Sequence, residues 1–194
     1  TGHVILERYG MSETVMLTSN PCRAADGPRL GGTVGYALPG VGVRVHGDQG
    51  QALPAGEIGG IEVRGPNVFQ GYWRMPEKTA EEFTADGWFK TGDVGRMEAD
   101  GRFTIVGRSK DLIISGGYNV YPAEIEGLLN EMPGVAESAV VGLPHPDFGE
   151  GVIAVVVPKP GAALDGAQMV AHLKTRIANF KVPKQCVVLQ ELPR

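Results

Sequence analysis

Apolar positions alternate in Val41-Gly-Val-Arg-Val45 and recur at Ile58, Ile61 and Val63. A period near two predicts short strands. Gly47-Asp-Gln-Gly50, Asp86-Gly87 and Asp100-Gly101 supply the turns between them, because Asp and Gly tolerate positive φ. From Gly31 to about Gly107 the chain therefore reads as a β-rich, barrel-like unit, with one helix expected around Pro76 to Phe83. The first 30 residues are loop-rich and turn polar after Asn20, with Pro21, Asp26, Gly27 and Pro28 close together.

The period changes after Arg108. Leu112-Ile-Ile114 predicts a strand running into Ser115-Gly-Gly117. Pro122 then opens a helix at its first turn, where its missing N–H costs nothing. Ile125, Leu128, Leu129 and Met132 follow at helical spacing, and Pro133-Gly134 stops it. Strands are expected at Ser138–Leu143 and Val152–Val157, then a helix with Val170, Leu173 and Ile177 on one face, then a last strand at Cys186–Leu189. Two helices on a small, mostly antiparallel sheet make an α+β lobe of about 85 residues, enough to hold a core. The expected division is 1–109 and 110–194, and the fold class is mixed α+β.

Composition narrows the function. Eighteen Lys and Arg against 22 Asp and Glu leave a net charge of −4, which gives no basic excess for phosphate-backbone binding, so no nucleic-acid partner is expected. The longest apolar stretch, Val152 to Val157, is far short of the roughly 20 residues of a membrane helix. No charged-then-apolar leader opens the chain and Cys22 and Cys186 lack CxxC spacing, so a reducing cytoplasm is the expected compartment, without a membrane partner. Glycine, at 29 of 194 residues, is about twice the usual roughly 7% and points to many tight turns.

Four segments gather polar residues among glycines. Arg8-Tyr-Gly-Met-Ser-Glu-Thr14 offers an aromatic face, two hydroxyls and a carboxylate, the kit for a nucleobase, a phosphate and a divalent ion. The plain alternative is a helix start capped by Ser12. Trp88-Phe-Lys-Thr-Gly-Asp93 places a carboxylate after a glycine at an expected strand end, able to accept from a vicinal diol, or to make only an Asx turn. Gly107 to Asn119 crowds Arg108, Lys110 and Asp111 before Gly116-Gly117, with a solvated hairpin and a surface ion pair as the alternative. Ala123-Glu-Ile-Glu126 sets two carboxylates in a helix's first turn, a favourable dipole position and not a catalytic pair. No GxxxxGK[ST] loop and no strand–GxGxxG–helix fingerprint is present.

In this order the segments resemble the adenylate-forming superfamily of acyl-CoA synthetases, peptide-synthetase adenylation domains and beetle luciferases. Tyr9-Gly-Met-Ser-Glu-Thr14 looks like its YGxTE motif, and Gly71-Tyr-Trp73 and Lys90-Thr-Gly-Asp93 like its GYW and TGD elements. Gly107 through Glu126 looks like its long Gly-Arg signature, and Glu191-Leu-Pro-Arg194 like the start of its final lysine motif. Glu7–Pro21, Gly65–Lys78, Gly116–Pro122 and Pro144–Glu150 look most like malonyl-CoA synthetases.

The resemblance implies the C-terminal part of a large adenylating domain, with a distorted-barrel segment, followed by a small lid domain. It implies acyl-AMP formation from a carboxylic acid and ATP, then transfer to coenzyme A with release of AMP. Malonate or methylmalonate is the implied acid, and Mg2+ the implied metal. Tyr9 would stack on adenine among contacts that include Gly10 and Met11. Glu13 would hold Mg2+, and Thr14 would bond the phosphate or acyl carboxylate; both are implied catalytic residues. Asp93 and Arg108 would grip the ribose, Lys110 would be the hinge of the lid, and Gly117 would line the pantetheine passage. Asn119 stands near where relatives often carry an Arg that contacts phosphate.

The family's upstream phosphate loop would precede Thr1 and its catalytic lysine would follow Arg194. The 194 residues alone are therefore expected to be inactive, as the C-terminal portion of a longer synthetase. A non-catalytic adenine-nucleotide module, or an enzyme that loads a carrier-protein thiol, are the alternatives.

Overall fold

The computed structural model describes residues 4–192. The chain divides into two compact units, Thr1–Ser109 and Lys110–Arg194. In the first, β1 (Arg8–Tyr9), β2 (Thr18–Ser19) and β3 (Tyr36–Ala37) form a small sheet in that order, with both pairs antiparallel. A second sheet is an antiparallel meander of β4 (Gly42–His46), β5 (Ile58–Arg64), β6 (Phe89–Met97) and β7 (Phe103–Arg108). An isolated bridge between Gly35 and Phe103 ties the edge of the meander to the chain entering β3. The period-two pattern thus yields the expected β-rich segment, interrupted where Pro76 occupies the first turn of α1 (Pro76–Glu82).

Leu17, Ile61, Val63 and Phe89 are the buried centre of this unit, with Phe69, Phe83 and Ile105 packed around them. Glu62 lies between Ile61 and Val63 on β5, so it faces away from them; it is buried and accepts from Arg44 Nε at 2.7 Å across the β4–β5 pair. Such a pair persists because its charges are matched and hydrogen-bonded.

The second unit is one five-stranded sheet under two helices. β8 (Ile113–Ser115) and β9 (Tyr118–Val120) form a hairpin, and β10 (Val135–His145) and β11 (Gly149–Pro158) a longer one. The order is β10-β11-β8-β9, and β12 (Gln185–Val188) joins β11 in parallel. Val152, Ala154 and Val156, alternate residues of β11, are fully buried, as a strand with one face on a core requires. Ile125 and Leu129 of α2 (Pro122–Asn130) and Met169 and Leu173 of α3 (Gly166–Leu173) close that core. Asp165 caps α3 by accepting from the amides of Ala167 and Gln168, which satisfies two of the orphan donors of its first turn.

The differences from expectation are local. The β8 and β12 strands each lie one residue from the predicted bounds, and β10 and β11 extend beyond theirs. α3 ends at Leu173, so Ile177 packs on the core from the turn that follows, not from the helix. Cys186 is buried in the core and Cys22 is exposed, both as free thiols. Among the described residues no helix is long and apolar enough to cross a membrane.

Candidate functional site

In the first unit, residues far apart in sequence meet. β1 carries Tyr9, and β6 carries Asp93 opposite Arg108 of β7 in the strand register. The Tyr9 hydroxyl donates to Asp93 Oδ2 at 2.6 Å across 84 residues. The other oxygen, Oδ1, lies 3.8 Å from Arg108 Nε, and the Asp93 side chain is only 12% exposed against 76% for Arg108. Burial, and then the bond to Asp93, push the Tyr9 phenol far above its ordinary range, so it stays a donor at neutral pH. The arrangement is a carboxylate with one oxygen pinned, beside an open guanidinium: an acceptor and several donors side by side, which suits a diol.

Asp93 does not sit at a strand end as the sequence suggested. It lies within β6, just after Gly92 at φ +75° and just before a register irregularity between Val94 and Gly95. Bulged ladders re-aim side chains in this way. Its amide donates to Thr91 Oγ1 at 3.1 Å, and Thr91 Oγ1 donates to the Ile61 carbonyl at 2.9 Å, so the local bond comes from a threonine and not from an Asx turn.

The Tyr9–Thr14 segment leaves β1 and makes a turn, so Ser12 caps no helix. The amides of Thr14 and Val15 both donate to the Met11 carbonyl, at 3.1 and 2.8 Å. The turn is tight enough that a Cβ on Gly10 would collide with the Val15 carbonyl, and Val15 is held at φ +58°, a left-handed conformation that β-branched residues rarely adopt. Met11 packs against the apolar cluster around Leu17.

The turn sorts its polar groups. Glu13 is half-buried, and its Oε1 accepts from the Tyr72 hydroxyl at 3.1 Å. Thr14, expected at the phosphate, is instead fully buried, with its Oγ1 closed off from solvent and unpaired among the described residues. A hydroxyl enclosed in this way cannot meet a ligand in this conformation. Ser12 is the exposed hydroxyl of the turn. The YGxTE spacing, counted from Tyr9, falls on Ser12 and Glu13 with Thr14 one position beyond, so counting alone could have found it.

The sequence reading also missed what holds the turn. Asn67 Nδ2 donates to the carbonyls of Thr14 and Met16 at 2.8 and 3.0 Å, and the Phe69 amide donates to the Glu13 carbonyl at 2.8 Å. Among the described residues no three His, Cys, Asp or Glu side chains gather as a metal cage. A divalent ion here would take Glu13 and otherwise oxygens of a substrate and water, and that is how Mg2+ is usually bound beside phosphates.

The remaining candidates belong to the second unit. Lys110 lies in an exposed 3-10 turn, Ser109–Asp111. Gly117, at φ +81°, turns the β8–β9 hairpin, and a Cβ there would meet nothing within 4 Å, so its glycine is demanded by the backbone. Asn119 is exposed on β9, opposite Ile114. The two carboxylates of Ala123-Glu-Ile-Glu126 are structural: Glu124 pairs with Lys181 Nζ at 2.7 Å, and Glu126 Oε1 accepts from the Val140 amide at 2.8 Å. Pro193 and Arg194, the end of the last motif, lie outside the described residues.

Comparison with known proteins places these features in a family. The AMP-binding enzyme family matches residues 1–73, and the AMP-binding enzyme C-terminal domain matches residues 124–194. An indoleacetate–CoA ligase of Aromatoleum aromaticum is 45% identical over 193 residues, which is 100% of this chain and 38% of that protein. A malonate–CoA ligase of Arabidopsis thaliana is 42% identical over 205 residues, 100% of this chain and 33% of that protein. The crystal structure of ATP-bound MatB from Rhodopseudomonas palustris superposes with a TM-score of 0.93 at 58% identity, covering 100% of this chain and 38% of that one. The chain thus spans less than two fifths of each of these proteins. Both parts of the family, in order along one chain, together with this fold, identify it as a member of the adenylate-forming, AMP-binding enzyme superfamily.

Proposed function

We propose that the protein to which this chain belongs is an AMP-forming acid–CoA ligase, with malonate or methylmalonate as its acid. The observation that carries this reading is the Tyr9–Asp93–Arg108 cluster. Asp93 accepts from the ribose hydroxyls through the oxygen that Tyr9 leaves free, and Arg108 donates beside it. The ring of Tyr9 bears on the adenine, next to Gly10 and Met11. Ser12 takes the hydroxyl role that the motif spacing gives it, in place of the enclosed Thr14.

The acid's carboxylate then attacks the α-phosphorus of ATP, giving acyl-AMP and pyrophosphate. Fixed charges around a phosphoryl group, placed before reaction, supply most of such catalysis. Glu13 would hold Mg2+, which offsets negative charge on the phosphates. In the second half-reaction the thiol of coenzyme A displaces AMP. Lys110 is the hinge between the half-reactions, a role supported by the division of the chain between Ser109 and Lys110. Gly117, on the β8–β9 hairpin, lines the pantetheine passage, and Asn119, on the same hairpin, stands near where relatives often carry an Arg that contacts phosphate.

Malonate is supported by the malonate–CoA ligase among the relatives, whereas the indoleacetate relative marks how widely the acid varies in the family. The test is pyrophosphate exchange by the whole protein across malonate, methylmalonate, acetate and longer acids. Fastest exchange with malonate or methylmalonate, followed by acyl-CoA formation when coenzyme A is added, is the expected result. Preference for another acid overturns the substrate, and nucleotide binding without exchange for any acid overturns the ligase.

A further inference from the structure

The GYW element has a place in the fold that the roles above do not use. Gly71, at φ +146°, passes so close to α1 that a Cβ would lie 2.6 Å from the Thr79 methyl. The next amide, Tyr72 N–H, donates to Thr79 Oγ1 at 2.9 Å, and Thr79 Oγ1 in turn donates to the Met75 carbonyl at 2.9 Å. The Tyr72 ring meets Phe69 edge-on, with centroids 4.8 Å apart, and carries the Lys78 ammonium 4.9 Å above it. Backbone, ring edge and ring face are all fixed. The one free end of this side chain, its hydroxyl, donates to Glu13 Oε1.

Glu13 itself stands in a turn, with no helix or strand to orient it. Its backbone is tied to the same segment through the Phe69 amide, while Asn67 clasps the carbonyls on either side of Val15. With Oε1 taken, Oε2 has no hydrogen-bond partner among the described residues. We propose that Tyr72 is a positioning residue: it holds one oxygen of Glu13 so that the other points steadily at a divalent cation carried by the nucleotide. This rests on the ligase reading for the identity of the nucleotide, but not for the geometry.

The test measures Mn2+ binding to the whole protein in the presence of ATP, by electron paramagnetic resonance, beside the Mg2+ half-saturation of pyrophosphate exchange. Tyr72→Phe keeps the ring on Phe69, and an unchanged thermal midpoint checks that the fold is kept. Partners that orient a metal ligand typically contribute 10–100-fold to metal affinity. Tyr72→Phe is expected to weaken Mn2+ binding and raise the Mg2+ half-saturation about tenfold, with KM for the acid unchanged. In a Glu13→Gln background the same change is expected to add almost nothing, because Tyr72 acts through Glu13. Wild-type metal response in Tyr72→Phe overturns the proposal, as do effects of the two variants that multiply independently. If the wild type binds Mn2+ with ATP but exchanges pyrophosphate with no acid, the ligase reading fails and the binding cycle alone decides Tyr72. No Mn2+ binding by the wild type overturns both.

Discussion

Two clusters in the first unit hold their carboxylates by different means. Asp93 is strand-borne: it lies within β6, in register with Arg108 of β7 and beside an irregularity on the β5 side, and Tyr9 reaches it from another sheet. Glu13 is loop-borne, and residues 67–72 hold it through single hydrogen bonds to a turn that contains a left-handed valine. A ladder is redundant, since many bonds fix one register. A clasp is not, since each of its bonds has no neighbour to take over. Placement at Asp93 should therefore survive changes around it, while placement at Glu13 should follow each contact that holds it.

The largest expected effect is at Asp93 itself. Asp93→Ala in the whole protein removes a charged acceptor, and hydrogen bonds to charged groups contribute roughly 1.5–3 kcal/mol, which corresponds to a rise of about 10–100-fold in the KM for ATP. An unchanged KM for ATP removes Asp93 from the ribose and leaves the strand-borne cluster without a ligand.

Asn67→Ala tests the clasp. It strips two carbonyls, those of Thr14 and Met16, of their donor, at a cost of about 1–3 kcal/mol in urea unfolding. Because the Glu13 turn loosens with it, the Mg2+ half-saturation of pyrophosphate exchange should rise as well. A loss of stability with the metal response intact would mean that the turn is as over-determined as a strand, and the contrast would not stand.

How much of this could be read beforehand follows from how far each signal travels along the chain. Pro122 and the spacing of Ile125, Leu128 and Leu129 give α2 because a helix is a local pattern. The alternation in β4 and the Asp-Gly turns give the meander for the same reason. Tyr9, Glu13, Asp93 and Arg108 came from motifs, yet nothing local links Tyr9 to a partner 84 residues away. The place of Ser12 was legible in the motif spacing from Tyr9, whereas the enclosure of Thr14 and the left-handed backbone at Val15, which valine itself argues against, were not. The clasp was hidden too, since Tyr72 showed only as part of the GYW element and Asn67 carried no signal of its own until the loop is laid against the turn. Local periodicity thus gave the scaffold, whereas contacts between distant loops set the aim of the site.

A smaller effect separates Tyr9 from Asp93. Tyr9→Phe keeps the ring for the nucleobase and deletes only the donor, so the KM for ATP should rise about threefold to tenfold, in line with a net hydrogen bond of roughly 0.5–1.5 kcal/mol. The variant also carries a pH signature. Burial first, and the bond to Asp93 second, raise the Tyr9 phenol above its ordinary 10.0. An acid whose folded value is raised contributes stability that is whole below its unfolded value and is lost as pH climbs above it. The wild type should therefore lose more stability than Tyr9→Phe between pH 8 and about pH 11, measured as urea midpoints. Parallel loss in the two proteins would show that Tyr9 is not held in solution in the buried, Asp93-bonded place it has here.

The finest probe of the contrast is Val15→Gly. Val15 is exposed and held at φ +58°, so replacing it gives up little burial. A left-handed residue with a Cβ costs roughly 1–2 kcal/mol, while glycine adds about 0.5–1 kcal/mol of unfolded-chain entropy. The difference favours the variant by about 0.5–1 kcal/mol, visible as a small rise in urea midpoint. If the clasp alone aims Glu13, relieving the strain should leave the Mg2+ half-saturation where it was. Should the half-saturation shift although Asn67 and Tyr72 are intact, the strained valine is itself part of the aim, and the loop-borne carboxylate is held by its own backbone as well as by its neighbours.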